Sequence, residues 1–476
     1  MKNLATVLFV LFASNLFGQN INSETAQAVA TTFLKSKGND SELVLVHKTS
    51  ELYIFNGKSS GFVIVSASDN VTPILGYSTT NTFDVTNTPP AVQQILEGYS
   101  KEIAYIVSEQ VEVKSVQVQW DNLKNGIAPK VQKSGKVEPM ITTQWGQGDQ
   151  TNYRWYNDSC PWDNTANRNV IAGCNAVAMA QIMKYWNYPS KGTGARSYHC
   201  NYEVQGVTRD YGILSANFGN TTYNYSIMPN KLSNQSTDAE KSAIAQLIYH
   251  CGVAINTKYS PNLSLAGGDY GAQVDVPDHL GNPKIDVITA LQRYFGYAGG
   301  IHQIEKRNFT ETEWISKIKE ELNAGRPIIY GSSSHSYICD GYDEADMFHL
   351  NFGWTGSCNG YFHTSSIVPT QGTWSSNQTN GQDAILNIRP NGSTSVTETK
   401  SAISIKIYPN PTENNFIIDC ENANTIKLYD VLGKEVLTQT VNVKTEINIS
   451  HLPNGMYNVS VFSEGKIVGN SKIVKQ

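Results

Sequence analysis

The sequence has no close C-x-x-C pair and no histidines at helical i, i+4 spacing, so the common zinc and thiol-redox signatures are missing. Charge is scarce. Only 16% of residues are charged, and 36 Lys+Arg against 41 Asp+Glu leave a formal net charge of −5. Without a basic field to neutralise phosphates, nucleic acid is not expected as a partner. No apolar run approaches the roughly 20 residues of a membrane span, so no transmembrane segment is expected. Helical repeats, coiled-coil heptads and low-complexity tracts are also missing.

Hydrophobic residues at 40% and aromatics at 10% instead supply real cores, and 476 residues are too many for one ordinary domain. The 37 Gly and 25 Tyr suit a secreted chain rich in turns and strands. Lys2, the apolar run from Leu4 to Phe12 and the small residue Gly18 read as a signal peptide over residues 1–18. A helix capped by Ser23 and stopped by Gly38, two strand-like runs at Leu52–Asn56 and Gly61–Ala67, and a helix over Pro89–Val107 then make a small α+β unit. The Lys-containing stretch Lys130–Lys136 has no apolar periodicity and reads as an exposed, protease-accessible connector. A central block to Pro390 holds most of the Trp, His and Cys, and the polar stretch NGSTSVTETK follows it. Short strand-like runs from Ile403 to Phe462, separated by Pro, Asn and Gly, predict a terminal antiparallel β-sandwich.

Seven cysteines are an odd number, so at least one thiol stays unpaired within the chain. Around Cys174 the chain reads AGCNAVAMAQIMKYWNYP. Gly173 reverses the chain, strong helix formers run to Trp186, and Pro189 forbids continuation. Cys174 is thereby placed at a helix N-terminus, where unsatisfied N–H groups and the helix dipole favour a thiolate. A thiol nucleophile needs a base and a group to orient that base. His335 falls at the lip of a predicted hairpin, after the strand RPIIY, and the next strand, MFHLNF, brings up Asn351. An asparagine can accept from one imidazole N–H and leave the other nitrogen to the thiol. The order Cys, His, Asn is the papain-like arrangement. Acyl transfer also needs oxyanion donors: the Cys174 N–H is one, and Gln144, Gln147 or Gln150 is the side-chain candidate, with spacing alone not choosing among them.

These residues resemble the streptopain family of secreted, papain-like cysteine proteases. The matching stretches are GFVIVSASDNVTPILGYS, WGQGDQTNY, AGCNAVAMAQIMKYWNYP, SHSYICDGYD and FHLNFGWTGSCNGYF, in family order. The resemblance implies Cys174 as nucleophile, His335 as base and acid, Asn351 as orienter and Gln147 as oxyanion donor. Gly173, Ser334 and Trp354 beside them are the candidate substrate-binding residues. It also implies that the N-terminal unit is an inhibitory prodomain, removed near Lys133–Lys136. Where the family has tryptophan after the asparagine, this chain has Phe352, and the stretch Thr370–Gly381 is richer in Ser, Asn and Gln than the family's glycine-rich loop. The tail, with IYPNPTENNFII, IKLYDVLGKEV, LPNGMYNVSV and a terminal KIVK, resembles the type A sorting domains of the Bacteroidetes type IX secretion system.

The expected fold is therefore α+β: a signal peptide (1–18), an inhibitory prodomain (19–136), a papain-like protease domain (137–390), a linker (391–403) and a β-sandwich sorting domain (404–476). The expected activity is that of a secreted cysteine endopeptidase made as a zymogen. Its expected partners are protein or peptide substrates, its own prodomain and the secretion machinery. A thiol acyl transferase or amidase acting on cell-wall peptides, and a catalytically silent surface adhesin, are the alternatives. No cofactor or metal is expected: His199, Cys200, His349 and His363 read as solvated or packed, and Asp343, Glu344 and Asp346 as a solvated hairpin tip without the twelve-residue calcium-loop pattern.

Overall fold

The computed structural model describes residues 20–476 apart from 110–112, 130–134, 149–153, 205–206, 262–285, 333–334, 365–366, 368–380, 393–405, 421–423, 431–434 and 464–465. The expected signal peptide, most of the Lys130–Lys136 connector and most of the 391–403 linker fall outside the described residues. The chain forms two compact units, one through Ile318 together with Pro327–Asn391, the other of Lys319–Arg326 with Gly392–Gln476.

The first unit opens with α1 (Ser23–Ser36), which buries Ala26, Val29, Ala30, Phe33 and Leu34. Its cap is Asn22 and not Ser23: the extended Asn22 backbone lets its side chain accept the Thr25 N–H at 2.8 Å. Four strands follow, β1 (Leu43–Lys48), β2 (Leu52–Gly57), β3 (Phe62–Ser66) and β4 (Ile74–Ser78), then α2 (Pro90–Ser108) and α3 (Lys114–Lys124). The last helix has no strong apolar stripe in sequence. It is fixed by burial of Val116, Trp120 and Leu123 and by the Trp120 indole N–H donating to the Val71 carbonyl at 2.8 Å.

Beyond the connector come the short pair β5 (Trp162–Asp163) and β6 (Arg168–Asn169), then α4 (Cys174–Trp186) and the hairpin β7 (Arg196–Val204) and β8 (Val207–Ala216). Two helices, α5 (Asp238–Ala254) and α6 (Val287–Phe295), pack with α4 in one apolar core. Thr237 and Glu240 form a reciprocal capping box on α5, and Asp286 caps α6. The remaining elements are β9 (His302–Glu305), α7 (Glu311–Asn323), β10 (Ile328–Ser332), β11 (His335–Tyr342), β12 (Phe348–Asn351), β13 (Gly360–Phe362) and β14 (Gln382–Leu386).

One sheet runs through the whole unit in the order β1-β2-β3-β4-β13-β12-β11-β10-β14-β9. The N-terminal α+β segment is thus joined edge to edge with the strands of the central block. At the seam Tyr361 faces Tyr77 and Phe362 faces Gly76. A Cβ on Gly360 would lie 2.5 Å from the Tyr77 carbonyl, so the join requires glycine there.

The second unit contains two antiparallel sheets. One comprises β15 (Lys406–Tyr408), β16 (Asn415–Asp419) and β19 (Lys444–Asn448); the other comprises β17 (Thr425–Tyr429), β18 (Glu435–Thr440), β20 (Gly455–Ser463) and β21 (Lys466–Lys475). Alternating side chains, among them Phe416, Ile418, Ile426, Leu428, Val459 and Val461, form its core. The terminal KIVK stretch is held internally, because the Lys475 ammonium donates to the carbonyls of Leu452 at 2.8 Å and Ser450 at 3.3 Å. Among the described residues no helix is long and apolar enough to cross a membrane.

Candidate active site

None of the seven cysteines is in a disulfide, and Cys174 alone among them is not buried. It is the first residue of α4. Gly173 turns the chain into the helix at φ +94°, a backbone that L side chains rarely adopt, and its carbonyl accepts the Val177 N–H at 3.1 Å. The sulfur therefore stands at the positive end of the helix. Across from it the Ser336 N–H of β11 lies 3.5 Å from the Cys174 Sγ. Desolvation pushes the thiol up from its ordinary value, while the N–H groups of Ser336, Asn175 and Cys174 itself pull it down; burial dominates.

His335 begins β11, paired with Ser332 of β10 across the hairpin, so it occupies the predicted lip. Burial lowers its imidazole below the ordinary range. Both shifts favour uncharged partners, a neutral thiol beside a neutral imidazole. Asn351 ends β12, opposite Ile338 of β11, and is buried. Its Nδ2 donates to the Thr143 carbonyl at 2.8 Å, while its Oδ1 accepts from the Gly353 N–H at 3.1 Å and from Gln181 Nε2 at 3.4 Å. A carbonyl on one side and an amide N–H on the other fix which end of the carboxamide is oxygen. Among the described residues no hydrogen bond joins His335 to Cys174 or to Asn351.

Sequence reasoning missed Gln181. It is completely buried on α4, two turns beyond Cys174, and its Oε1 accepts from the Thr143 hydroxyl at 2.9 Å and the Trp145 N–H at 3.2 Å. The available signal was a lone amide in the apolar run AVAMAQIM.

Of the three candidate glutamines, Gln147 is buried, and its carbonyl accepts the Ala172 N–H at 2.9 Å, which fastens it beside the turn into α4. Gln144 instead reaches Asn81 of the N-terminal segment at 3.2 Å, and Gln150 lies outside the described residues. Trp354 is buried near this corner; Ser334 and residues 370–380 of the stretch Thr370–Gly381 lie outside the described residues. Phe352 packs between Tyr337 and Phe362, with ring centroids 5.3 and 5.5 Å away.

The acidic turn is not a solvated hairpin tip. Asp343 is only 3% exposed and receives the Tyr77 hydroxyl at 2.8 Å and the Lys37 ammonium at 3.0 Å, while Lys37 also lies 3.3 Å from Glu344. The N-terminal segment covers the turn, which no local pattern reveals. At the other end of the same face the Glu102 carboxylate of α2 accepts the Ile367 N–H at 3.1 Å, and the Tyr99 hydroxyl lies 2.7 Å from the His363 carbonyl. The histidines weighed as metal ligands have other neighbours: His199 pairs with Asp210 at 2.8 Å, buried His349 with Asp340 at 2.6 Å, and His363 is in the same buried face, where desolvation lowers its pKa. Among the described residues no group of three or more His, Cys, Asp or Glu side chains converges as a metal site.

Residues 145–362 match the Peptidase C10 family, residues 13–103 the Spi protease inhibitor family and residues 406–476 the secretion system C-terminal sorting domain. The chain is 26% identical to streptopain of Streptococcus pyogenes over 364 residues, covering 72% of this chain and 81% of that protein. It is 26% identical over 415 residues to the thiol protease/hemagglutinin PrtT of Porphyromonas gingivalis, 85% of this chain but 43% of the relative. A solved prointerpain A fragment of Prevotella intermedia superposes with a TM-score of 0.56 at 27% identity, covering 73% of this chain and 98% of that one.

Proposed function

Because the chain belongs to the Peptidase C10, or streptopain, family and is a secreted cysteine protease made as a zymogen, we propose that its peptide-bond chemistry runs through Cys174, His335, Asn351 and Gln147. The Cys174 thiolate attacks the scissile carbonyl, forming the C–S bond. The resulting oxyanion is held by the Cys174 N–H and the Gln147 Nε2. His335 gives its proton to the leaving amine as the C–N bond breaks, then takes a proton from the water that cleaves the thioester. Asn351 accepts an imidazole N–H on Oδ1, where the long 3.4 Å contact from Gln181 is the bond most easily exchanged. Gly173 and Trp354 border the cleft and contact the substrate, and Ser334, which lies outside the described residues, is the third candidate for that role.

In this reading residues 19–136 are the prodomain, 137–390 the enzyme, 391–403 the linker and 404–476 the sorting domain. The prodomain acts as an intramolecular inhibitor, holding β11 so that the Ser336 N–H, and not the imidazole, hydrogen-bonds to the sulfur. That contact, at 3.5 Å, is the observation that carries the proposal. Cleavage near Lys136, whose exposed side chain makes surface pairs with Glu138 at 2.6 Å and Glu344 at 3.7 Å, releases it.

The test is a time course of the precursor beside its Cys174→Ala twin under reducing conditions, followed by gel, casein hydrolysis and thiol titration. The parent is expected to trim near Lys136, to gain activity and to titrate one reactive thiol. Equal casein hydrolysis by the Cys174→Ala protein would remove Cys174 from the mechanism.

A further inference from the structure

Trp354 is only 6% exposed, and its indole N–H has no hydrogen-bond partner in the structure. A buried donor without a partner is unfavourable and uncommon, so its persistence calls for a reason. The local backbone supplies one. The Thr355 N–H donates to the Trp145 carbonyl at 3.2 Å. A Cβ on Gly356 would meet the Gln144 side chain at 2.6 Å, and one on Gly146 would meet Thr355 Cγ2 at 2.6 Å. Gln147 directly follows Gly146 on one segment and Trp354 directly precedes Thr355 on the other, which places the two residues on adjoining stretches of chain.

The same corner meets the nucleophile helix. A Cβ on Gly353 would lie 3.1 Å from Val177 Cγ1 in the first turn of α4, and Gln147 holds the Ala172 N–H just before it. The Gln147 side chain is itself buried and makes no hydrogen bond among the described residues. A buried orphan donor and a carboxamide with no hydrogen bond among the described residues thus lie on adjoining segments next to the nucleophile helix.

We propose that Trp354 is a positioning residue whose indole N–H donates to Gln147 Oε1 in the working enzyme and thereby aims Gln147 Nε2 at the oxyanion. The choice of atom follows from chemistry. An indole N–H only donates, so it selects the oxygen end of the carboxamide and leaves the N–H₂ end for the substrate. Without that partner the carboxamide is free to present its oxygen to the oxyanion, which would repel it. Catalytic hydrogen bonds often close only when substrate is bound, in keeping with an indole that waits unpaired while the prodomain is in place. The inference rests on the reading of Gln147 as oxyanion donor and goes beyond a contact of Trp354 with substrate.

The experiment measures kcat and KM of the processed enzyme on a peptide substrate for Trp354→Phe, Gln147→Ala and the double variant, with thermal unfolding as a fold check. Gln147→Ala is expected to lower kcat by about 10²-fold, and Trp354→Phe by about tenfold with KM within about twofold. The double variant is expected to match Gln147→Ala alone, and Trp354→His, which keeps a ring N–H, to recover part of the loss. If Trp354→Phe fails to fold, the pair Trp354→His and Trp354→Leu makes the same comparison. Parental kcat in Trp354→Phe, a rise confined to KM, or a Trp354 loss that keeps its full size in the Gln147→Ala background would each overturn the inference while leaving the Gln147 reading intact. Parental kcat in Gln147→Ala would overturn both.

Discussion

Ser336 donates its backbone N–H to the sulfur of Cys174 at 3.5 Å, so among the described residues the amide one residue past the imidazole, and not the imidazole, is hydrogen-bonded to the sulfur. The two candidate reactive groups lie on opposite halves of the enzyme, one opening α4 and the other opening β11, yet burial drives both toward their neutral forms. A thiol and imidazole proposed to act together are thus each favoured in the uncharged form and share no hydrogen bond among the described residues.

The thiol of the precursor is therefore expected to alkylate slowly at neutral pH. Because its pKa is raised, the rate with iodoacetamide should keep climbing through pH 9, whereas the processed enzyme should reach its plateau near neutrality. Labelling should stop at one thiol, since the other six are buried. A neutral-pH plateau in the precursor would contradict the account.

Asp343→Asn is expected to loosen the prodomain. The substitution removes the carboxylate that Tyr77 and Lys37 share, and breaking a buried pair by removing one partner costs about 3–5 kcal/mol before Glu344 compensates. In a Cys174→Ala background, with the connector cut by an outside protease, prodomain retention should fall at least about tenfold by gel filtration. Lys37→Met should act in the same direction, and unchanged retention in both would exclude the turn as an anchor.

His250 sets a pH limit on stability. Burial lowers its pKa to about 4, and its Nδ1 lies 2.9 Å from the Tyr223 hydroxyl. The unfolded chain takes up this proton near pH 6.5 and the folded one only near 4, so the unfolded state binds more protons between those values. Stability is complete above pH 6.5 and should fall by up to about 3 kcal/mol as pH drops to 4. His250→Gln, which cannot titrate, is expected to flatten the dependence of Tm on pH across that window.

Phe352→Trp would restore the family's residue into a space already closed by Tyr337 and Phe362. Overpacking of this kind typically costs about 1–3 kcal/mol, so a lower unfolding midpoint in urea is expected. An unchanged midpoint would show that the pocket accommodates the larger ring.

Much of the candidate site was legible in sequence because its signals are local. A glycine, a run of helix formers and a later proline place Cys174 at the head of α4, and strand, turn, strand places His335 at a hairpin lip. The alternation in the tail likewise marks strands, although the whole sandwich also needs Glu435–Thr440 and Lys466–Lys475, whose own patterns are weak. The cap at Asn22 in place of Ser23 turns on one residue's backbone angles, which composition does not encode.

What the sequence by itself determined is the set of candidate groups for acyl transfer and the elements that carry them, since capping, propensity and alternation act over a few residues. Only the tertiary structure decided that the prodomain strands extend the enzyme's own sheet, that Asp343 is an anchor and not a solvated tip, and that Gln181 braces Asn351. It alone brought the segment that carries Trp354 beside the one that carries Gln147. Each of these joins residues distant in the chain, where burial and a missing or gained partner decide the energy, and neither can be read from neighbours in sequence.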